Sequence, residues 1–368
     1  MIFGMAMRLR ERVFLAIVVA ALVCLAATPP ISRLCRRIGA MDVPGESRRV
    51  HASPVPRLGG LAIFLGFLAG VLPFTGLTRP VQGILLGSVV IVVCGAVDDL
   101  ISLRPWTKLI FQCLAAFIAI EHGIEIKILT NPGMFRAEAI ALGALSIPVT
   151  MLWIVGVTNA LNLIDGLDGL AAGVSGIGCA SMLAVSLFLP EATEVSVLLA
   201  ALGGACLGFL PFNSNPARIF MGDTGALLLG FVLATSSILG LFKMYTAATF
   251  AVPVLALGLP VSDTVFAVIR RVSHGKSPLM ADRDHIHHRL LRLGLTQRQA
   301  VLVLYAVSTI LGLAAVILAA NGRTRFWLLM TAIAIAVGVW LYIFLENHDN
   351  RVGNAPEDAT EEDTPPKR

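Results

Sequence analysis

The chain has 368 residues, of which 57% are hydrophobic and only 14% are charged. About a quarter of the residues of a soluble domain are charged, so the composition excludes a water-soluble globule and favours lipid as the solvent. The net charge of +5 is small for this length and indicates no nucleic-acid partner. The six cysteines are scattered without ligand-like spacing, which argues against a metal site or disulfides built from them.

Apolar stretches follow one another along almost the whole chain. In order, they cover roughly 13–28, 58–76, 81–97, 106–121, 144–162, 169–189, 195–212, 224–242, 247–269, 300–320 and 326–345. Most approach the ~20 residues that cross ~30 Å of hydrocarbon, which predicts an all-α, polytopic integral membrane protein with about eleven transmembrane helices. No clean cleavage site follows the first stretch, so we interpret it as a retained helix and not as a signal peptide.

The loops between these stretches are short. They predict a single transmembrane domain over residues 1–345, followed by an acidic, proline-containing, disordered tail over residues 346–368.

With eleven spans, the loops on one side of the membrane hold sixteen Lys and Arg residues and the opposite loops hold six. The positive-inside rule therefore predicts that the N-terminus is outside and that the C-terminus is cytoplasmic.

Four polar clusters fall at the cytoplasmic ends of the predicted helices, where charge is costly and usually functional. The first, Asp98-Asp99, closes the third span. Two adjacent carboxylates repel each other, so either a divalent cation such as Mg²⁺ compensates them or they form a solvated helix end. The pair alone favours neither interpretation.

The second cluster repeats a polar residue at every third position: Asn159, Asn162, Asp165 and Asp168. Residues three apart are neighbours on a helix, so we expect one ribbon of amides and carboxylates, with Gly166 and Gly169 allowing close approach. This pattern favours a cation or sugar site over a helix end with capping side chains.

The third cluster runs from Asn213 to Gly225. By themselves, Asp223 and Thr224 are typical of a helix N-cap. Together with the other acids, Asp223 becomes a candidate metal ligand, and the amides at the start of a helix suit phosphate.

The fourth cluster places His285, His287, His288 and Arg289 in the longest cytoplasmic loop. Zinc is disfavoured because the spacing is cramped and no cysteine is near. Phosphate or nucleotide fits better because Arg offers a forked set of donors, and a basic loop facing anionic lipid is the alternative.

Asp263, inside the ninth span, must face the bundle or a cavity and could be structural.

Acids, amides and arginines at one membrane face favour Mg²⁺-dependent phosphoryl transfer with a lipid as one substrate. The sequence contains neither a P-loop nor a GxSxG elbow. A secondary transporter is the main alternative, but its charges would lie near the midplane within an inverted repeat, and no such repeat is visible. The aspartate pattern of CDP-alcohol phosphotransferases is also missing from the sequence.

Five motifs occur in a defined order. They are Pro56 to Gly60, Asp98 to Leu100 followed by Leu103, Pro105 and Lys108-Leu109, Asn159 to Gly173, Asn213 to Gly225, and His285 to Leu290. In these motifs the chain resembles the polyprenyl-phosphate N-acetylhexosamine-1-phosphate transferases of glycosyltransferase family 4, and the resemblance covers about residues 30–320. The phospho-muramoyl-pentapeptide transferases are more distant members and an alternative assignment.

The resemblance implies an enzyme of the bacterial inner membrane with its active site on the cytoplasmic face. Such an enzyme transfers a sugar-1-phosphate, most commonly GlcNAc-1-phosphate, from a UDP-N-acetylhexosamine to undecaprenyl phosphate and releases UMP. The implied cofactor is Mg²⁺, with Mn²⁺ as a substitute. The sugar, the glycan pathway and the oligomeric state stay open, a homodimer being one option.

The resemblance also assigns roles to individual residues. Asp223 and Asp99 match the metal-binding positions, and the matching catalytic acids are Asp98, Asp99, Asp165 and Asp168. The matching substrate-binding positions are Asn159, Asn162, Asn213, His285, His287, His288 and Arg289. Charge and position suggest Arg57 as a further phosphate contact. Ser102 departs from the family pattern, because many relatives carry an acid there. The histidines favour a UDP-N-acetylamino sugar over the UDP-muramoyl peptide.

Overall fold

A computed structural model describes residues 7–42, 54–130, 139–188, 193–240, 248–273 and 285–319, together with residue 335. Ten of the eleven apolar stretches coincide with α-helix in these residues. The eleventh stretch (apart from residue 335) and the acidic tail lie outside the described residues, so both stay predictions.

The described part of the chain is dominated by helices. They are α1 (Leu9–Ile38), α2 (Gly60–Val71), α3 (Arg79–Ile101), α4 (Pro105–Glu121), α5 (Ser146–Ile164), α6 (Leu170–Ser186), α7 (Thr193–Asn213), α8 (Gly222–Gly240), α9 (Ala248–Ala256), α10 (Gly258–Ser273), α11 (Ile286–Arg292) and α12 (Gln297–Ala319). A short 3₁₀ helix over Gly143–Leu145 precedes α5. The all-α prediction is confirmed.

Two small antiparallel strand pairs lie between helices, and the sequence did not predict them. β1 (Met41–Asp42) pairs with β2 (Val55–Pro56), and β3 (Ile128–Thr130) pairs with β4 (Ala139–Ala141). The first pair ties the end of α1 to the start of α2 and carries Asp42 and Arg57 towards the cavity described below.

Six helical segments of the described chain are long and apolar enough to cross a membrane: α1, α3, α5 with its preceding 3₁₀ turn, α7, α8 and α12. Helices α2 and α6 are apolar but shorter. Large apolar side chains such as Phe14, Ile110 and Leu152 are exposed on the outside of the bundle, as expected for surfaces that face lipid. The chain is therefore a multi-pass membrane protein, while the count of eleven spans stays a prediction.

The ninth predicted stretch is not one helix. α9 ends at Ala256 and α10 begins at Gly258, so the helix over this stretch is interrupted at Leu257, while a membrane span over 247–269 stays a prediction. Pro260 explains the interruption, because its ring would clash with the carbonyl of Ala256 in a continuous helix and it has no amide N–H to donate.

Helix α8 lies at the centre of the bundle and is buried at every residue from Thr224 to Gly240. It packs against α2, α3, α5, α6 and α7. Small residues allow these close crossings: a Cβ atom at Gly95 of α3 would lie 2.5 Å from the Cα of Thr224, and one at Gly60 of α2 would collide with Gly225. Such packing is typical of membrane helices, since lipid supplies no hydrophobic force between them.

Candidate active site

A cavity of about 240 Å³ opens where α5 and α7 end and α6 and α8 begin. Four carboxylates, one guanidinium, two amide side chains and a phenyl ring contribute to its lining. The lining residues are Asp42, Arg57, Asn162, Asp165, Gly166, Leu167, Asp168, Asn213, Phe220, Gly222 and Asp223. The structure thus brings the second and third predicted clusters together with Arg57, and we call this space the acidic cavity.

The second cluster is not a helical ribbon. α5 ends at Ile164 and the chain turns until α6 begins at Leu170, with Gly169 in the left-handed region at φ +79°. The expectation of one continuous ribbon is wrong for this reason. We call residues 165–169 the acidic turn.

Asn159 is the member of the second cluster that stays outside the cavity lining. Its Nδ2 donates to Gln112 Oε1 of α4 at 2.6 Å and to the Val155 carbonyl at 2.8 Å. The amide therefore ties α4 to α5, whereas Asn162 lies one turn further on and lines the cavity.

The two acids of the turn have different surroundings. Asp168 is buried and accepts hydrogen bonds from Asn215 Nδ2 and the Ala217 amide, both at 3.0 Å. Burial, reinforced by the negative charges of Asp223, Asp99 and Asp168, raises the pKa of Asp165 to about 8. Asp165 thus lies among like charges, while Asp168 fastens the segment after α7.

Lys108 of α4 lies between two carboxylates from other helices. Its Nζ is 2.7 Å from Asp223 Oδ2 and 3.2 Å from Asp98 Oδ2. Asp98 also accepts the Leu103 amide at 2.7 Å. It does not line the cavity itself and is connected to the lining residue Asp223 through Lys108. Lys108 belongs to the second family motif, but it was not among the predicted site residues.

Asp99 caps the start of the central helix. Its Oδ1 accepts the Asp223 amide at 2.9 Å, and its Oδ2 accepts the Thr224 amide at 3.1 Å and the Thr224 hydroxyl at 2.6 Å. The residue is only 5% exposed. Gly222, at φ +67°, leaves room for this carboxylate, because a Cβ atom there would collide with it.

The remaining lining residues include groups suited to an organic ligand. Asn213 Nδ2 donates to the Ile219 carbonyl at 3.0 Å, which leaves its buried Oδ1 without a partner among the described residues. Phe220 presents an aromatic ring to the cavity. The Arg57 guanidinium is 3.7 Å from Asp42. Sequence reasoning did not select Phe220, since an isolated aromatic residue in an apolar chain carries no signal.

The histidine segment, residues 285–289, packs beside the acidic turn. His287 is 2% exposed, and a Cβ atom at Gly166 would collide with its imidazole. Burial, with the neighbouring His288 and His285, lowers the pKa of His287 to about 4, so the ring is neutral at pH 7. The rings of His285 and His287 are parallel, with centroids 5.9 Å apart, and His288 lies against His287.

Arg289 and Ser102 lie outside the acidic cavity. Arg289 lines a separate space of about 400 Å³ with residues of α10, including Arg270. Ser102, the residue after α3, has φ +54°, is exposed and does not line the cavity.

The acidic cavity fits a hard divalent cation. Its donors are carboxylate and amide oxygens, and Arg57 is the one cation in its lining among the described residues. No three acid, histidine or cysteine side chains of the described residues already form a metal-binding group. Carboxylate and amide oxygens are the ligands that hard divalent cations prefer.

Comparison with known proteins agrees with this geometry. The sequence pattern of glycosyl transferase family 4 matches residues 81–241. A protein of Bacillus subtilis (strain 168), named probable undecaprenyl-phosphate N-acetylglucosaminyl 1-phosphate transferase, is 40% identical over 337 residues, which are 91% of this chain and 92% of that protein. The chain belongs to glycosyl transferase family 4.

Other members of glycosyl transferase family 4 extend the comparison. The decaprenyl-phosphate N-acetylglucosaminephosphotransferase of Mycobacterium tuberculosis (strain ATCC 25618 / H37Rv) is 36% identical over 331 residues, 82% of this chain and 81% of that protein. The phospho-N-acetylmuramoyl-pentapeptide-transferase of Thermotoga maritima is 33% identical over 291 residues, 76% of this chain and 90% of that protein. The predicted family is confirmed, and the chain is a phosphoglycosyl transferase of a metal-dependent family.

Proposed function

We propose that this glycosyl transferase family 4 enzyme transfers GlcNAc-1-phosphate from UDP-GlcNAc to undecaprenyl phosphate and releases UMP. The observation that carries the proposal is the acidic cavity, where Asp165, Asp168, Asp223 and Arg57 meet at the ends of apolar helices. The names of the Bacillus and Mycobacterium relatives support the sugar and the polyprenyl acceptor.

The cavity offers separate groups for the parts of a nucleotide-sugar donor. Arg57 can form a forked pair with the diphosphate. Asn213 Oδ1, which has no partner among the described residues, can accept an N–H of the base. The Phe220 ring offers an aromatic face for stacking. Asn162 also lines the cavity and hydrogen-bonds the Asp223 side chain.

A bound Mg²⁺ would be held by Asp223 and Asp165 and would neutralise charge on the donor diphosphate. Asp165 suits this task because burial disfavours its charge until a cation is present. Lys108 orients Asp223 and keeps it ionised beside Asp98. A phosphate oxygen of the lipid then attacks the β-phosphorus, the bond to UMP breaks, and the sugar diphosphate stays on the lipid.

The position of the cavity suits a lipid acceptor. It opens at the ends of membrane helices, so the isoprenoid chain can stay in hydrocarbon while its phosphate reaches the acids. We place this face in the cytoplasm of a bacterium, where the reaction is the first membrane step of cell-envelope glycan synthesis. The excess of basic residues in the loops on this side supports that orientation.

The deciding experiment measures UMP release by the purified protein in detergent with undecaprenyl phosphate and Mg²⁺. UDP-GlcNAc, UDP-GalNAc and UDP-MurNAc-pentapeptide are compared as donors. We expect UDP-GlcNAc to react, EDTA to abolish the reaction, and Asp223→Ala to lose it. Glu125→Gln, which removes the partner of the exposed Lys127, serves as the matched acid control and retains activity.

Release of UMP only from UDP-MurNAc-pentapeptide would transfer the assignment to the pentapeptide branch. If a folded protein that binds UDP-GlcNAc released no UMP from any donor, the proposed reaction would be wrong.

A further inference from the structure

Asp263 of α10 makes two hydrogen bonds to the start of the histidine segment. Its Oδ2 is 2.8 Å from His285 Nδ1, and its Oδ1 accepts the Ile286 amide at 3.0 Å. The Asp263 side chain is 9% exposed and that of His285 is 5% exposed. Because both carboxylate oxygens are used and the pair is shielded from water, the orientation of His285 is fixed relative to α10.

This pair determines where α11 begins. His285 is the residue before the first helical residue, and its own side chain makes no capping hydrogen bond. Asp263 therefore supplies, from another helix, the acceptor that the first turn of α11 requires. It also places the His285 proton on Nδ1, which defines the tautomer and the plane of the ring.

The anchored segment forms part of the support of the acidic cavity. His287, two residues after His285, packs against Gly166 of the acidic turn, and Gly166 lines the cavity. The buried Nδ1 of His287 has no partner among the described residues, so no hydrogen bond from that part of the chain holds the ring at this atom. The position of His287 depends instead on the segment that carries it.

We infer that Asp263 is a positioning residue, which holds the histidine segment against the acidic turn and thereby shapes the site for the donor. The inference rests on the proposed function and assigns Asp263 no contact with substrate. Its effect runs from α10 through His285 and α11 to His287 and Gly166.

The test compares steady-state kinetics of the full-length Asp263→Ala and Asp263→Asn enzymes with the wild type. We expect Asp263→Ala to raise the KM for UDP-GlcNAc roughly thirtyfold, the size of effect expected when a charge-assisted hydrogen bond is lost. The increase for Asp263→Asn should be smaller, because its amide oxygen can still accept the Ile286 amide. The KM for undecaprenyl phosphate should stay within about twofold.

Ser262→Ala is the matched control. Ser262 is the neighbouring residue on α10, and its hydroxyl bonds only the Leu259 carbonyl of the same helix, at 3.1 Å, among the described contacts. This variant should keep both KM values. A cycle with His285→Ala should be non-additive: once His285 is absent, removing Asp263 should raise the donor KM much less.

Melting temperatures in detergent identify the variants that fold. A folded Asp263→Ala enzyme with an unchanged donor KM would overturn the inference, as would equal losses for donor and acceptor. Failure of both Asp263 variants to fold would also overturn it, because the residue would then serve the fold as a whole. Absence of UMP release by the wild type would instead refute the proposed function, so the two failures are distinguishable.

Discussion

At the scale of single residues, Lys108 holds together two acids from different helices, at 2.7 Å from Asp223 and 3.2 Å from Asp98. We predict that Lys108→Met lowers kcat about thirtyfold, because losing hydrogen bonds between half-buried charged groups costs roughly 2 kcal/mol. Lys108→Arg should retain part of the activity, since it keeps the charge but not the compact geometry. The measurement is UMP release at saturating substrates.

Lys127→Met provides the comparison for Lys108. Lys127 also has an acidic partner, Glu125 at 3.6 Å, but its side chain is 73% exposed. Surface pairs of this kind contribute little, so this variant should behave as the wild type. Equal activities of Lys108→Met and Lys127→Met would contradict the assigned role.

The lowered pKa of the buried His287 predicts that the free energy of unfolding depends on pH. Its pKa is lowered to about 4 by burial and by the adjacent histidines, whereas an unfolded histidine titrates near 6.5. Between these values the unfolded chain binds a proton that the folded chain does not, so stability falls as the pH decreases from about 6.5 to about 4. The loss is roughly 3 kcal/mol.

The melting temperature measured from pH 7 to pH 4 tests this prediction for wild type and His287→Gln. Part of the wild-type decrease should be missing in the variant, which has no group that titrates at this position. Parallel curves for the two proteins would show that His287 does not carry the effect.

Sequence reasoning selected most of the cavity residues but not their arrangement. Polar residues at the ends of apolar stretches pointed to Asp165, Asp168 and Asp223, because such positions are costly without a function. Lys108 contacts an acid 115 positions away, and no local pattern encodes such a contact. The position of Arg289 beside α10 was equally hidden, since the direction of a short loop helix depends on its tertiary anchor.

At the scale of secondary structure, Asp99 of α3 is the cap of α8. We predict that Asp99→Asn lowers the free energy of unfolding by about 2 kcal/mol and reduces activity. Asparagine has one acceptor oxygen where aspartate has two, and both oxygens of Asp99 are in use. The amide nitrogen of the variant would therefore face an N–H group at the start of α8 or leave that group without an acceptor. Thermal unfolding in detergent and the Mg²⁺ dependence of UMP release are the measurements.

These two measurements separate the cap from a metal ligand. A cap lowers the melting temperature and leaves the Mg²⁺ concentration for half-maximal activity nearly unchanged. A large increase in that concentration at an unchanged melting temperature would instead support the metal role expected for Asp99. Glu194→Gln, which removes an acid in the first turn of a different helix, α7, is the control.

Helix existence was predictable, and helix continuity was not. Apolar stretches marked α1 to α8 and α12, because hydrophobic length is a strong signal. The interruption at Leu257 and the turn after Ile164 depend on Pro260 and Gly169, whose effect is local and leaves the average hydrophobicity unchanged. The short strands and α11 have too few residues to produce a periodic pattern.

At the scale of the whole molecule, the predicted orientation can be tested by labelling. Arg104, between α3 and α4, is exposed near the cavity end, and Thr78, before α3, is exposed at the other end of the same helix. We predict that a membrane-impermeant maleimide labels Thr78→Cys in intact spheroplasts. It should label Arg104→Cys only after the membrane is opened.

The native cysteines give a low background, because five of the six are buried and Cys113 is partly so. Labelling of Arg104→Cys in intact spheroplasts, with Thr78→Cys protected, would show that the orientation in the membrane is the reverse of the predicted one.

The burial of α8 has a consequence for the membranes in which the enzyme can work. Helices that face lipid tilt or shift when the hydrocarbon layer becomes thicker or thinner. α8 has no residue from Thr224 to Gly240 open to lipid, and its first turn is fixed by Asp99 of α3. The outer helices can therefore adapt to hydrophobic mismatch while the reacting groups keep their spacing, so turnover should vary little between bilayers of short-chain and long-chain phospholipids.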